Sequence, residues 1–212
     1  MQVADRLTPL NLQDAIVAFA QAYKRVMGEL PTAGCLACLV AQSALETGNW
    51  HALHCWNYGN IKASDAWIAD GRDWCEYRCN ELIGGVWRWF DPPHPQCRFR
   101  AYADADAGAA EQIGFVALRE RYALAWHWCC QGEPNLFVRA LGLAGYFTAP
   151  TEPYARAVVS IHARIMPACA AYLAGDGARA TDEDAIHVAT LVAATLWQTP
   201  FVRANDAHLE AA

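Results

Sequence analysis

The sequence predicts an α+β chain, mostly α: a helical body, a small β-hairpin lobe and an extra C-terminal helix. Three observations predict it. Before about residue 47 and after about residue 104, apolar side chains recur at helical spacing. Between 57 and 102 the pattern alternates and is punctuated by a Gly-Gly pair and prolines. The length of 212 residues suits one well-packed domain with a short appendage.

Asn11, with Asp14 three residues later, reads as a helix start, and Leu12 to Met27 keeps helical spacing. Pro31-Thr32 opens a second helix through AGCLACLVAQSALE, where only Gln42 and Ser43 are polar before Glu46. A helix without a polar face is a central, buried one. Gly48 ends it. DWCEYRCNELIGGVWRWFDPP reads as a hairpin turning on Gly84-Gly85. Counting by twos puts Cys75, Tyr77, Cys79, Glu81 and Ile83 on one face, and Pro92, Pro93 and Pro95 stop the strand. Asp104 or Asp106 caps a helix reaching about Arg119. Asn135 to Ala144 is a short helix ended by Gly145. Thr151, with Pro153 in the first turn, opens a helix through YARAVVSIHARIM, with a kink or break expected at Pro167. GDGARA (175–180) is a loop, and Thr181 with Asp184 caps a last helix, AIHVATLVAATLWQ.

Bulk properties exclude several function classes. More than half of the residues (55 %) are hydrophobic, yet no stretch approaches the roughly 20 uncharged residues of a membrane helix, so no membrane insertion is expected. MQVADRLTPLNLQD carries early charges and no apolar core of a secretory signal, so synthesis in a cytoplasm without a signal peptide is expected. The net charge of −6 and scattered arginines exclude nucleic acid as a partner.

Nine cysteines is an odd count, which rules out complete internal pairing. Cys35, Cys38, Cys129 and Cys130 read as small packing residues. Cys55, Cys75, Cys79 and Cys97, with His51, His54 and His94 nearby, offer zinc-binding residue types, but at only loosely zinc-like spacing. Reduced thiols in a packed lobe are expected, with no metal and no cofactor, and a zinc site or disulfides stand as the alternatives.

The one residue that asks for a chemical explanation is Glu46. It ends a buried helix and faces a lobe of different composition, which puts it at the lip of a cleft. Partial burial and the negative end of the helix dipole both raise its pKa. A carboxylic acid kept protonated near neutral pH is what cleavage of a glycosidic bond requires. The competing reading is a solvated helix-end glutamate.

Five pieces then stand in a telling order: AQSALETGNW, WNYGNIKA, CNELIGG, CRFRAYAD and ALGLAGYFTAP followed by PYARAVVSI. Together they resemble the glucosaminidase family of peptidoglycan hydrolases, glycoside hydrolase family 73 of the lysozyme-like superfamily, over residues 11–172. The resemblance implies a lysozyme-like helical body (domain 1–172, β lobe about 57–102), and residues 173–212, outside the resemblance, read as a C-terminal helical extension. That extension is expected to pack on the domain, with partner docking as the alternative.

Carried over, Glu46 matches the family's general acid and Glu81 its second carboxylate, on the hairpin. Tyr146 matches a tyrosine of the catalytic groove, and Tyr154 that of the following Pro-x-Tyr-Ala element. Asn57, Tyr58, Asn60 and Lys62 match the loop that closes the cleft, whose other reading is a structural turn on Gly59. Trp56 is a candidate sugar platform, as are Trp50 and Trp87 or Trp89, whereas Phe99 and Tyr102 are expected to pack. Where the family carries Ala-Thr-Asp-Pro this chain has Phe147-Thr148-Ala149-Pro150, without the acid.

The implied activity is endo-acting cleavage of the β-1,4 glycan strands of peptidoglycan, of N-acetylglucosaminidase type, with muramidase specificity still open. Two carboxylates suit a retaining pair about 5–5.5 Å apart, an inverting pair about 6.5–9.5 Å apart, or a substrate-assisted course. The implied setting is the bacterial cell wall, with a phage endolysin or a virion or injection-apparatus component as the carrier. Two alternatives stand beside it: a catalytically inactive glycan-binding or structural module, and an enzyme acting on another N-acetylated polymer.

Overall fold

The computed structural model describes residues 1–175, so all but the first residue of the expected loop at 175–180, and the last helix, lie outside the described residues. Helix α1 (Leu12–Met27) begins where Asn11 Oδ1 accepts the Asp14 amide at 2.8 Å and ends at Gly28 in the left-handed region (φ +85°). Helix α2 (Ala33–Glu46) is capped by Thr32, whose hydroxyl accepts the Cys35 amide. Every residue from Cys35 to Leu45 is buried, as expected of a helix without a polar face.

Around α2 pack α1, α5 (Ala123–Cys130) and above all α7 (Thr151–Leu173). The approach at its first turn is close enough that a Cβ added at Gly34 would lie 2.9 Å from the Gly132 Cα. Helix α4 (Ala105–Ala117), capped by Asp104, lies on α1, and α6 (Pro134–Leu143) lies against α5 and α7. Helix α5 was not anticipated: ALAWHWCC has no polar stripe and no capping side chain to announce it. The expected break at Pro167 is absent, and α7 continues to Leu173. Ile161, Ile165 and Cys169 are buried on either side of the proline, in an element packed on α2 and α6, and that tertiary contact outweighs one lost backbone hydrogen bond.

The small lobe differs from expectation in one respect. The hairpin exists, with β2 (Cys79–Ile83) and β3 (Val86–Phe90) meeting at Ile83↔Val86 around Gly84 and Gly85, both at positive φ as a tight primed turn requires. But Cys75 to Ile83 is not one strand. β1 (Trp74–Glu76) pairs with β4 (Arg98–Arg100) in a separate two-stranded sheet, and Tyr77-Arg78 breaks the run. The Tyr77 ring instead stacks between His54 (4.1 Å) and Phe99 (3.9 Å), packing that the alternation could not reveal. A short helix α3 (Asp65–Ala69) precedes β1. Arg100, only 5 % exposed, ties β4 to α4 through Glu111 at 2.5 Å. No helix among the described residues is long and apolar enough to cross a membrane.

Candidate active site

The site begins where α2 stops. Gly48, Asn49 and Trp50 all take left-handed backbone conformations (φ +55°, +55° and +63°), and Cys55, Trp56 and Asn60 do so again. Five non-glycine residues in that region are costly and persist only when surrounding contacts enforce them. Those contacts are visible. The Asn49 amide donates to Ala44 O at 2.7 Å, the Trp50 amide to Thr47 Oγ1 at 3.2 Å, and the Trp50 indole to Ser43 Oγ at 3.1 Å.

Asn57 then closes the next turn. Its amide donates to Ile61 O (2.9 Å) and Arg100 O (3.0 Å), and its Oδ1 accepts the Ile61 amide (2.9 Å). Tyr58 packs edge-on to Phe19. Asn57 and Tyr58 have no exposed surface and Trp50 is 1 % exposed. The expectation that these three touch substrate is therefore corrected: they hold the loop from inside. Gly59 allows the closeness, since a Cβ there would lie 2.4 Å from the Tyr146 hydroxyl.

Glu46 is half-buried at the end of α2. Tyr154 on α7 donates its hydroxyl to Glu46 Oε1 at 2.5 Å, and Gln42, one turn earlier on the same face, donates at 3.5 Å. Asn60 secures the backbone by donating to Glu46 O at 2.6 Å while accepting from the Tyr77 hydroxyl at 3.0 Å. Burial pushes the Glu46 pKa up to about 7, helped by the negative charge of Glu81 and opposed by the hydrogen bonds from Tyr154, Gln42 and Asn60.

Glu81 sits on β2 and is paired with a cation. Lys62 Nζ lies 3.0 Å from its Oε1, and also contacts Gln96 O (2.5 Å), Cys79 Sγ (3.4 Å) and the Phe99 ring (3.9 Å). The Thr148 hydroxyl donates to Glu81 Oε2 at 3.4 Å. The two carboxylates are close enough for the charge of Glu81 to act on Glu46, and they sit in different settings: one hydrogen-bonded by Tyr154 and Gln42, the other beside an ammonium.

Tyr154 bonds the acid, while the Tyr146 hydroxyl donates to Gly59 O at 3.3 Å and its ring packs edge-on against Phe115 and Tyr122. Tyr146 stays close enough to Glu46 for that carboxylate to raise the Tyr146 pKa, after burial the largest cause. Trp56 is half-buried against the helical body, its carbonyl pressed on α4 at Gly108. Trp87 and Trp89 pair with Leu82 and Asn80, whereas Glu81 pairs with Arg88, so period two puts both tryptophans on the face of the hairpin opposite Glu81. Phe99 is buried in the lobe as expected, and Tyr102 packs edge-on to Trp67.

Sequence reasoning missed Gln42, Gln112 (whose amide donates to Gln42 Oε1), Phe147 (stacked on Tyr154 at 4.0 Å) and Thr148. For Gln42 a signal existed, a polar residue four before Glu46 on an otherwise apolar helix.

With this geometry in view, the comparisons are specific. A peptidoglycan hydrolase from Sphingomonas sp. A1, solved as a mutant, is 26 % identical over 71 % of this chain and 92 % of its own, with a TM-score of 0.52. A second structure of peptidoglycan hydrolase from that organism is 24 % identical over 80 % of this chain and 97 % of its own, with a TM-score of 0.51. The fold is that of peptidoglycan hydrolases. The family resemblance and the mostly helical, lysozyme-like α+β class read from the sequence are both borne out. A C-terminally truncated glycoside hydrolase domain of Salmonella typhimurium FlgJ also aligns, at 19 % identity over 74 % of this chain and 99 % of its own, with a TM-score of 0.48. No family model matches the sequence, and no curated protein matches it.

Proposed function

We propose that the protein is an endo-acting glycoside hydrolase that cleaves the β-1,4 glycan strands of bacterial peptidoglycan, of the N-acetylglucosaminidase type, and that residues 1–172 carry the activity. The observation that carries this reading is Glu46. Its carboxyl is held protonated up to about pH 7 by burial, with Tyr154 at 2.5 Å fixing its orientation and a second carboxylate across the cleft. Glu46 is the general acid, donating its proton to the departing sugar oxygen. Glu81, paired with Lys62, serves as base for a water or stabilises the oxocarbenium-like state. Asn60 and Lys62 position these two groups, and Tyr154 orients the acid. Tyr146 supports the loop from beneath. No cofactor enters this chemistry.

Delivery to the wall as part of a phage particle or an injection apparatus fits the net charge of −6, which offers no electrostatic attraction to an anionic surface. The test is release of muropeptides from purified peptidoglycan by wild type, Glu46→Gln and Glu81→Gln. Cleavage by wild type with a folded but inert Glu46→Gln supports the proposal, and mass spectrometry of the new reducing ends names the bond. Activity that survives Glu46→Gln removes it. An inert wild type favours a glycan-binding module of this fold.

A further inference from the structure

The small lobe joins three stretches with little regular structure. The N-terminal segment is stitched on by single backbone hydrogen bonds: Val3 N to Trp74 O at 2.8 Å, Cys55 N to Arg6 O at 2.9 Å, and Thr8 N to Leu53 O at 2.8 Å. Beneath them lies a separate buried cluster of Cys55, Cys75, Phe99 and Ala101. Half of that cluster is thiol. A core so small supplies little stability by itself, and lobes of this size generally use a metal or a disulfide as a staple.

The Cys/His set suggested by the sequence does not converge on one point. Cys79 lies against Lys62 and Gln96, His94 caps a single turn at Pro95–Cys97, and His51 is exposed. A different set does converge. The donor atoms of Asp5, Cys55 and Cys75 lie within 4.8 Å of one another, a grouping found once among the described residues. Both thiols are fully buried, whereas the Asp5 side chain reaches in from the rim and is 32 % exposed. His54 holds that carboxylate, with Nδ1 at 2.8 and 3.0 Å from its two oxygens, and the ring is itself fixed by stacking on Tyr77.

We propose that Asp5, Cys55 and Cys75 form a binding site for a thiophilic divalent cation, zinc in the first place, with water at the fourth position on the exposed edge. Two sulfurs and one carboxylate oxygen are zinc donors, and tetrahedral coordination at about 2.3 Å to sulfur and 2.0–2.2 Å to oxygen needs these atoms a little closer than 4.8 Å. The three ligands come from three different segments, so one ion ties the N-terminal segment, the loop after α2 and β1 together. On binding, each thiol releases its proton to solvent and bonds the metal as thiolate, with no change of oxidation state. His54 then plays the supporting part usual around metal carboxylates. The consequence reaches the cleft, because Tyr77, on which His54 stacks, bonds Asn60, and Asn60 bonds the Glu46 carbonyl.

The test uses the full chain purified without chelator. Elemental analysis is expected to find about one zinc per chain, reduced at least tenfold in Cys55→Ser or Cys75→Ser. Exchange into Co²⁺ is expected to give a thiolate-to-cobalt charge-transfer band, and chelation to lower Tm. The cobalt spectrum of the wild type decides even if the variants do not fold, since absence of the band overturns the proposal. Thiol titration in denaturant then names what stands there instead: nine free thiols for simple packing, or two fewer, with a Cys55–Cys75 linked peptide, for a disulfide. Metal content is read without any glycan substrate, so failure here leaves the proposed glycosidase activity intact.

Discussion

The helical body and the small lobe contribute one carboxylate each and mount them in opposite ways. Glu46 projects from α2, whose flanking residues belong to a single buried cluster drawn from α1, α2, α4, α5, α6 and α7. Glu81 projects from a two-stranded hairpin whose tip leaves Ile83 and Val86 exposed, and only Cys79 of that hairpin packs against the lobe's separate four-residue core. A rigid mount with little water lets burial set proton affinity, which favours an acid. On the thin hairpin an ion pair, here with Lys62, holds the carboxylate's geometry.

The largest effect that tests this contrast is Glu46→Gln. Loss of a proton donor is expected to cost about 10³-fold or more in rate, with the circular dichroism spectrum unchanged. Glu81→Gln is expected to cost less, about 10²-fold, if it only assists water or charge. Equal losses, measured by muropeptide release, would break the division of roles.

The body's rigidity is tested at Gly108, where an added Cβ would lie 2.0 Å from the Trp56 backbone oxygen. Gly108→Ala is expected to destabilise by roughly 2–3 kcal/mol, since backbone cannot yield as a side chain does. Gly114→Ala, in the same helix with only Leu118 Cδ1 at 3.8 Å, is expected to be neutral or to stabilise by up to about 1 kcal/mol. Denaturant melts that rank the two the other way would remove the packing account of the loop.

Titration gives the next effect. The pKa of Glu46 is raised in the folded state from 4.5 to about 7. Stability from its neutral carboxyl is therefore complete below about 4.5 and is lost as pH rises through about 7. Glu46→Gln is expected to melt at an increasingly higher temperature than wild type between pH 5 and pH 8, roughly the span of the two pKa values. A Tm difference that does not change with pH would show that Glu46 titrates normally. For the same reason wild-type activity is expected to decline above about pH 7.

The smallest effect concerns Tyr154. Its hydrogen bond lowers the Glu46 pKa, so Tyr154→Phe is expected to move the alkaline limb of the rate profile upward while reducing the maximal rate about tenfold or less. A downward shift would contradict the donor role assigned to the hydroxyl. Tyr146→Phe, whose hydroxyl bonds Gly59 O, is expected to leave that limb in place.

Legibility followed range along the chain. Asn11, Thr32 and Asp104 were readable as caps or helix openings because capping joins residues two or three apart. The buried character of α2 and the hairpin turn at Gly84-Gly85 were legible because periodicity and positive φ are local properties. Glu46 stood out for the same reason, as an acid closing an apolar helix.

Other features were decided only by packing. That Tyr154 rather than Tyr146 reaches Glu46 depends on how α7 lies on α2, across 108 positions of sequence. Trp50, Asn57 and Tyr58 look like ligands in a polar, aromatic loop, and become scaffold once the loop folds inward against α1 and β4. Tyr77 reads as strand until His54 and Phe99 offer it a stack. Asp5 next to Cys55 and Cys75 leaves no trace in spacing, because three segments must converge before the donors meet. The sequence by itself determined α1, α2 and α4 with their caps, the hairpin turn, and the chemical character of Glu46. Its hydrogen-bond partners, and how far burial and the charge of Glu81 raise its proton affinity, came from tertiary structure, since burial and through-space charge exist only after the chain has packed.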